Sequence, residues 1–142
     1  MKLNKATFYL LSWTWGLPMT LIGAVVTLIL MAKGKKPKKW GACYYTEVGK
    51  GWGGLELGMF FLTNEKAPER TKNHELGHAI QNCYFGFLMP FVVSLPSAIR
   101  YWYRRIRTSL GMRNKGKYED VWYEGQATKI GTEYAAKWGA NT

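Results

Sequence analysis

The chain of 142 residues holds only two histidines, and they stand four apart with a glutamate after the first: His74, Glu75, Leu76, Gly77, His78. On a helix, side chains at i and i+4 rise from the same face one turn apart. Two imidazoles so placed can share one zinc ion. Glu75 then stands beside a zinc-activated water, where a carboxylate can take the proton as general base and hand it to a leaving group. The pattern is that of zinc-assisted hydrolysis. Its competitor is a pair of helix-packing histidines, which would have to consume every histidine in the chain by chance.

A catalytic zinc site takes a third protein ligand and keeps one position open. No third histidine remains, and Cys43 and Cys83 form no Cys-x-x-Cys pair and no demanded disulfide, so the third ligand is sought among nine acidic residues. Glu47, Glu56, Glu65 and Glu69 precede the motif in expected strands or loops. Glu119, Asp120, Glu124 and Glu133 lie on a last helix, expected from Glu119 to about Trp138. Glu124 is favoured, because Ala127, Gly131 and Ala135 follow it at spacings of three and four. That stripe of small residues can lie close against Gly77, a mid-helix glycine that costs about 1 kcal/mol relative to alanine unless something needs the space. Asp120, one turn before Glu124, is a candidate to accept the free ring N–H of a ligand histidine. Gln81, on the motif face, is a candidate to hydrogen-bond a ligand or substrate. Tyr118, Tyr123 and Tyr134 could each steady an oxyanion, and none is distinguished.

The elements that must position these residues are expected as follows. Residues 7–32 carry no charge, enough for a transmembrane helix, which needs about 20 residues. Gly16 and Pro18 inside it are tolerated in membranes. The run KGKKPKK at 33–39 is a stop-transfer flank that places it on the cytoplasmic side. Aromatic and branched residues flank a glycine-rich stretch at 49–54, read as a β-hairpin or small sheet. The strand at 54–63 could hold an extended peptide along an exposed edge. Thr71 is the expected N-cap of the motif helix. Residues 83–99 are uncharged but interrupted by Pro90 and Pro96, which suggests a re-entrant or second apolar segment. The organisation is thus a membrane anchor and basic flank at 1–40 and a zinc-binding domain at 41–142, of α+β class.

The formal net charge of +11, from 20 Lys and Arg against 9 Asp and Glu, suits anionic membrane lipid. It disfavours nucleic acid, since the basic residues cluster just beyond apolar segments rather than among stacking aromatics.

The segment from His74 to Gln81 resembles the active helix of zincin metallopeptidases. Pairing with a later glutamate resembles the gluzincin branch. That resemblance implies a minimal zincin-like domain with His74, His78 and Glu124 as ligands of one zinc ion per chain and Glu75 as base. Leu95-Pro96-Ser97 and the spacing Glu124, Ala127, Gly131 also look like small bacterial or phage membrane proteins. The similarity covers roughly residues 54–131. Two departures stand out: Thr128 occupies the position, four after Glu124, where an aspartate supporting a ligand histidine is expected, and the chain is too short for a second lobe walling the cleft.

The expected function is a membrane-bound zinc metallopeptidase, a hydrolase acting on a peptide or membrane-protein substrate, alone or in a larger membrane assembly. The alternatives are a membrane protein with a structural zinc site, or a basic module that binds anionic lipid or nucleic acid.

Overall fold

A computed structural model describes residues 3–50, 54–113 and 121–139. They form five α-helices and a four-stranded mixed sheet, an α+β arrangement: α1 (Lys5–Ser12), α2 (Leu17–Ala32), β1 (Lys38–Trp40), β2 (Cys43–Glu47), β3 (Gly54–Leu57), β4 (Phe60–Thr63), α3 (Glu69–Phe85), α4 (Leu95–Ser109) and α5 (Trp122–Lys137).

The apolar run at 7–32 is not one helix. The Asn4 side chain caps α1 by accepting from the Thr7 backbone N–H at 2.7 Å. The chain then bends by 90° between α1 and α2. Pro18 explains the break, because its ring collides with the carbonyl four residues back and a helix cannot run through 14–18. The bend is pinned from α3: Trp15 Nε1 donates to the Tyr84 carbonyl at 3.0 Å, and Asn82 Nδ2 donates to the Gly16 carbonyl at 3.1 Å. The expected single transmembrane helix is thereby corrected to two shorter ones. No single helix among the described residues is long and apolar enough to cross a membrane. Nor does packing mark a boundary at residue 40. Leu3 and Phe8 are buried in one core with Phe61, Leu76 and Ile80, and β1 belongs to the sheet.

The strand order is β1-β2-β4-β3. Two tight hairpins build it, with Trp40 paired to Cys43 and Leu57 to Phe60. Gly41 and Gly58 supply the left-handed backbone (φ +62° and +72°) that such two-residue loops require. The expected hairpin around 49–54 is corrected: β2 pairs with β4 in parallel, not with β3. β4 therefore lies between β2 and β3, and β3 is left as an edge strand.

α3 is capped three residues before the expected Thr71, with extended Pro68 in the cap position and Glu69 in the first turn, favourable to the helix dipole. It ends at Gly86, whose φ of +56° stops the helix. A short 3-10 turn (Gly86–Leu88) and a π-helical turn (Pro90–Ser94) follow, and the path through them into α4 is bent by 115°. The apolar segment at 83–99 is broken as expected, but Pro96 does not break it: it sits in the first turn of α4, where proline is tolerated.

α5 crosses α3 at close range. A Cβ on Gly77 would overlap the Ala127 carbonyl, and one on Gly131 would overlap the Asn73 carbonyl. The small-residue stripe thus serves as expected, letting the two helix backbones touch.

Candidate metal centre

His74 and His78 project from one face of α3 with ring centroids 4.6 Å apart. Their Nε2 atoms are 3.1 Å from each other. Glu124 enters from α5 and is fully buried. Its Oε1 lies 2.9 Å from His78 Nε2, and its Oε2 lies 3.7 Å from His74 Nε2. A tetrahedral ion with bonds of 2.0–2.1 Å holds its ligand atoms about 3.3 Å apart; the two Nε2 atoms are close to that spacing, and one ligand atom from each of the three residues lies within 4.8 Å of the others. The group His74, His78 and Glu124 could therefore hold a metal ion.

Hydrogen bonds behind the rings set the tautomer that ligation needs. Gln81 Nε2 donates to the Tyr123 carbonyl at 2.8 Å and to Gln126 Oε1 at 2.9 Å. The amide oxygen must then face His78, and it accepts from His78 Nδ1 at 2.8 Å. Thr128 Oγ1 donates to the Glu124 carbonyl at 3.3 Å, so its lone pair accepts from His74 Nδ1 at 2.8 Å. With both Nδ1 atoms committed as donors, Nε2 is in each ring the nitrogen that faces the shared centre and would be free to ligate once deprotonated. Gln81 thus orients the His78 ring. Thr128, which occupies the place of the expected aspartate, does the work assigned to Asp120, a residue that lies outside the described ones. Ser97 Oγ from α4 donates to Glu124 Oε1 at 3.1 Å and fixes the carboxylate.

Glu75 lies beside the triad on a cleft of about 420 Å³, bounded by α3, β3, α4 and Met19 of α2. A Cβ on Gly54 would fall 2.9 Å from Glu75 Oε1, so the bare backbone of β3 makes room for this carboxylate. Burial pushes Glu75 above the usual carboxylate range, opposed by His78 and His74 and reinforced by Glu124. Burial also pushes Glu56, on β3, up to about 8. For His78 burial acts downward, but the Glu124 hydrogen bond and the charges of Glu75, Glu124 and Glu56 outweigh it and lift the imidazole to about 9. Glu124, with Glu75 and Glu56 in their ionised forms, sets a demand for positive charge beside the two imidazoles. The His78 proton meets part of that demand, and a divalent cation would take its place.

Sequence patterning misses three residues here. Glu56 reads as one more strand glutamate, yet it is buried on the cleft and accepts from the Gly58 backbone N–H; the available signal was a lone charge in an apolar strand. Ser97 was a single hydroxyl between Pro96 and Ala98. Tyr101 also lines the cleft, and Arg105 Nη1 donates to its hydroxyl at 2.9 Å. Of the tyrosines considered earlier, Tyr134 is committed to the core, its hydroxyl accepting from the Leu3 N–H at 2.9 Å. Tyr123 packs on Met19, Met89 and Val93, and Tyr118 lies outside the described residues. Comparison with known proteins adds no relative: no family model, curated protein or solved structure matches this chain.

Proposed function

We propose that this protein is a zinc-dependent metallopeptidase of minimal zincin-like build, with His74, His78 and Glu124 as ligands and Glu75 as general base. The observation that carries the proposal is the convergence of two Nε2 atoms and one carboxylate on a point beside Glu75, at the wall of a cleft. Two imidazoles and a carboxylate suit zinc among the common ions. Bound there, zinc supplies Lewis acidity and makes water a usable nucleophile near neutral pH. Glu75 receives the proton of the attacking water and delivers it to the leaving amine. Gln81 and Thr128 hold the imidazoles, and Ser97 holds Glu124. The edge strand β3 lines the cleft and offers backbone groups to an extended peptide.

Membrane attachment belongs to the same proposal. The inner face of α2 carries Thr20, Gly23 and Thr27, buried, while Leu21, Ile22, Val25, Leu28 and Ile29 are exposed. A helix with its small and polar residues inside and its large apolar ones outside suits lipid better than water. The basic run at 33–39 favours the cytoplasmic side.

The rival reading is a structural zinc clamp between α3 and α5, favoured by their close packing at Gly77 and Gly131. Glu75→Gln separates the two. It keeps size and hydrogen bonding but removes the base. The peptidase reading expects zinc content and fold to survive while peptide-library cleavage falls by a factor on the order of 10² to 10⁴. Cleavage by the variant equal to that of the parent would overturn the base assignment.

A further inference from the structure

Helix α4 bears no buried residue, yet it forms a wall of the cleft through Ser97, Ala98, Tyr101 and Trp102. Its remaining surface is sharply divided. Leu95, Ile99, Trp102 and Ile106 recur at spacings of four, three and four, and all are exposed. At 100° per residue they form one stripe. Arg100, Arg104 and Arg107 line the helix on another side, Arg105 adds a fourth cation, and the helix contains no acidic residue. Ala98 and Trp102 lie at the border between the apolar stripe and the cleft. Across the cleft stands Met19, on the inner face of α2, the helix whose outer face is itself apolar. The cleft is therefore walled on two sides by helices that turn apolar surfaces outward.

We propose that α4 is an interfacial helix seated on an anionic lipid leaflet, apolar stripe in the acyl boundary and arginines among the headgroups, so that the cleft opens at the membrane surface. On the peptidase reading given above, on which this half of the inference rests, the substrate is an apolar peptide segment lying at that surface. Charge selects lipid as the occupant of the stripe: an uninterrupted set of cations flanking apolar and aromatic residues is the composition that binds anionic bilayers. A second copy of this chain, which carries the same cations, would repel it.

The test uses the full chain reconstituted into phosphatidylcholine vesicles with and without phosphatidylglycerol. An environment-sensitive fluorophore is placed on single cysteines introduced at Ile99, Ile106 and, on the opposite side of the helix, Thr108; Cys43 and Cys83 are buried. Nitroxide-labelled lipids should quench the labels at 99 and 106 several-fold more than the label at 108, and more strongly with phosphatidylglycerol present. Equal quenching at all three sites would overturn the placement. So would labels at 99 and 106 shielded from lipid and cross-linkable between copies. For the substrate, one apolar fluorogenic peptide is offered free in solution and anchored to the vesicle by an acyl chain. Anchoring should raise the initial rate several-fold. Ile99→Asp with Ile106→Asp, outside the cleft, should abolish that gain while sparing cleavage of the free peptide. Equal rates for both forms in the parent protein would overturn the substrate class. Cleavage of neither form, with quenching intact, would overturn the peptidase reading and the substrate class together and leave the helix placement standing.

Discussion

At the scale of single residues, the centre depends on which ring nitrogen carries the proton. Thr128 makes this testable, because its hydroxyl accepts from His74 Nδ1. Thr128→Val keeps the shape but removes the acceptor, and zinc affinity measured by competition with a chelator should fall about 10- to 100-fold, the usual effect of losing such a support. Thr128→Asp should restore it, since a carboxylate four residues after Glu124 can take the same proton. An unchanged affinity in the valine variant would remove Thr128 from the site. The motif itself was legible because two histidines, one glutamate and helical spacing leave few other readings. Glu124 was legible through the small residues that follow it. The supporting role of Thr128 was not, because a hydroxyl gives no signal until its own proton is seen to be spent on the Glu124 carbonyl.

The charge of the metal-free centre yields a second prediction at this scale. His78 is protonated more readily in the folded chain, about 9 against an ordinary 6.5. Its contribution to stability is full below the ordinary value and is lost as pH rises through about 9. Glu56 is also raised, from 4.5 to about 8, so burying it neutral favours the folded state less and less as pH rises between those values. Both groups act in the same direction. The thermal midpoint of the chelator-treated protein should fall from pH 6 to pH 9, measured in detergent by circular dichroism. A midpoint that rises across this range would contradict the charge arrangement.

At the scale of elements, α3 and α5 meet because glycines let two backbones touch. Alanine has the better helix propensity by about 1 kcal/mol, so Gly77→Ala would stabilise α3 in isolation. In the folded chain the new methyl meets the Ala127 carbonyl, which is backbone and cannot swing aside. The clash wins: the variant should lose about 1–3 kcal/mol, the usual range for overpacking, and should bind zinc more weakly because Glu124 retreats with α5. Denaturant unfolding with parallel zinc titration checks both. Gly54→Ala probes a different contact. It crowds the Glu75 side chain from Cγ to its carboxylate, so zinc binding should persist while cleavage falls. Helix identity was readable from periodicity for α3 and α5. Strand pairing was not: β2 and β3 look like partners across a glycine turn, but the strand after them, β4, pairs with both. Local pattern carries no information about such a strand order.

At the scale of the whole molecule, composition and three-dimensional form part company in an instructive way. The uncharged run at 7–32 is long enough for a span, yet Pro18 divides it and α1 joins the core through Phe8, which meets Trp138 of the last helical segment edge-to-face at 5.4 Å. Length and hydropathy register neither fact. What they do capture is the apolar outer face of α2; its inner face, through Met19, frames the cleft together with α4. The molecule thus reads as a small core with a candidate metal site, whose exposed apolar helices share their inner sides with that site. The central claim is the ligand set, and X-ray absorption at the zinc edge tests it most directly on protein purified without added metal. The account predicts about one zinc per chain in a four-coordinate shell of nitrogen and oxygen, with the outer-shell scattering of two imidazoles. A sulfur ligand, a single imidazole, or zinc far below one per chain would contradict it.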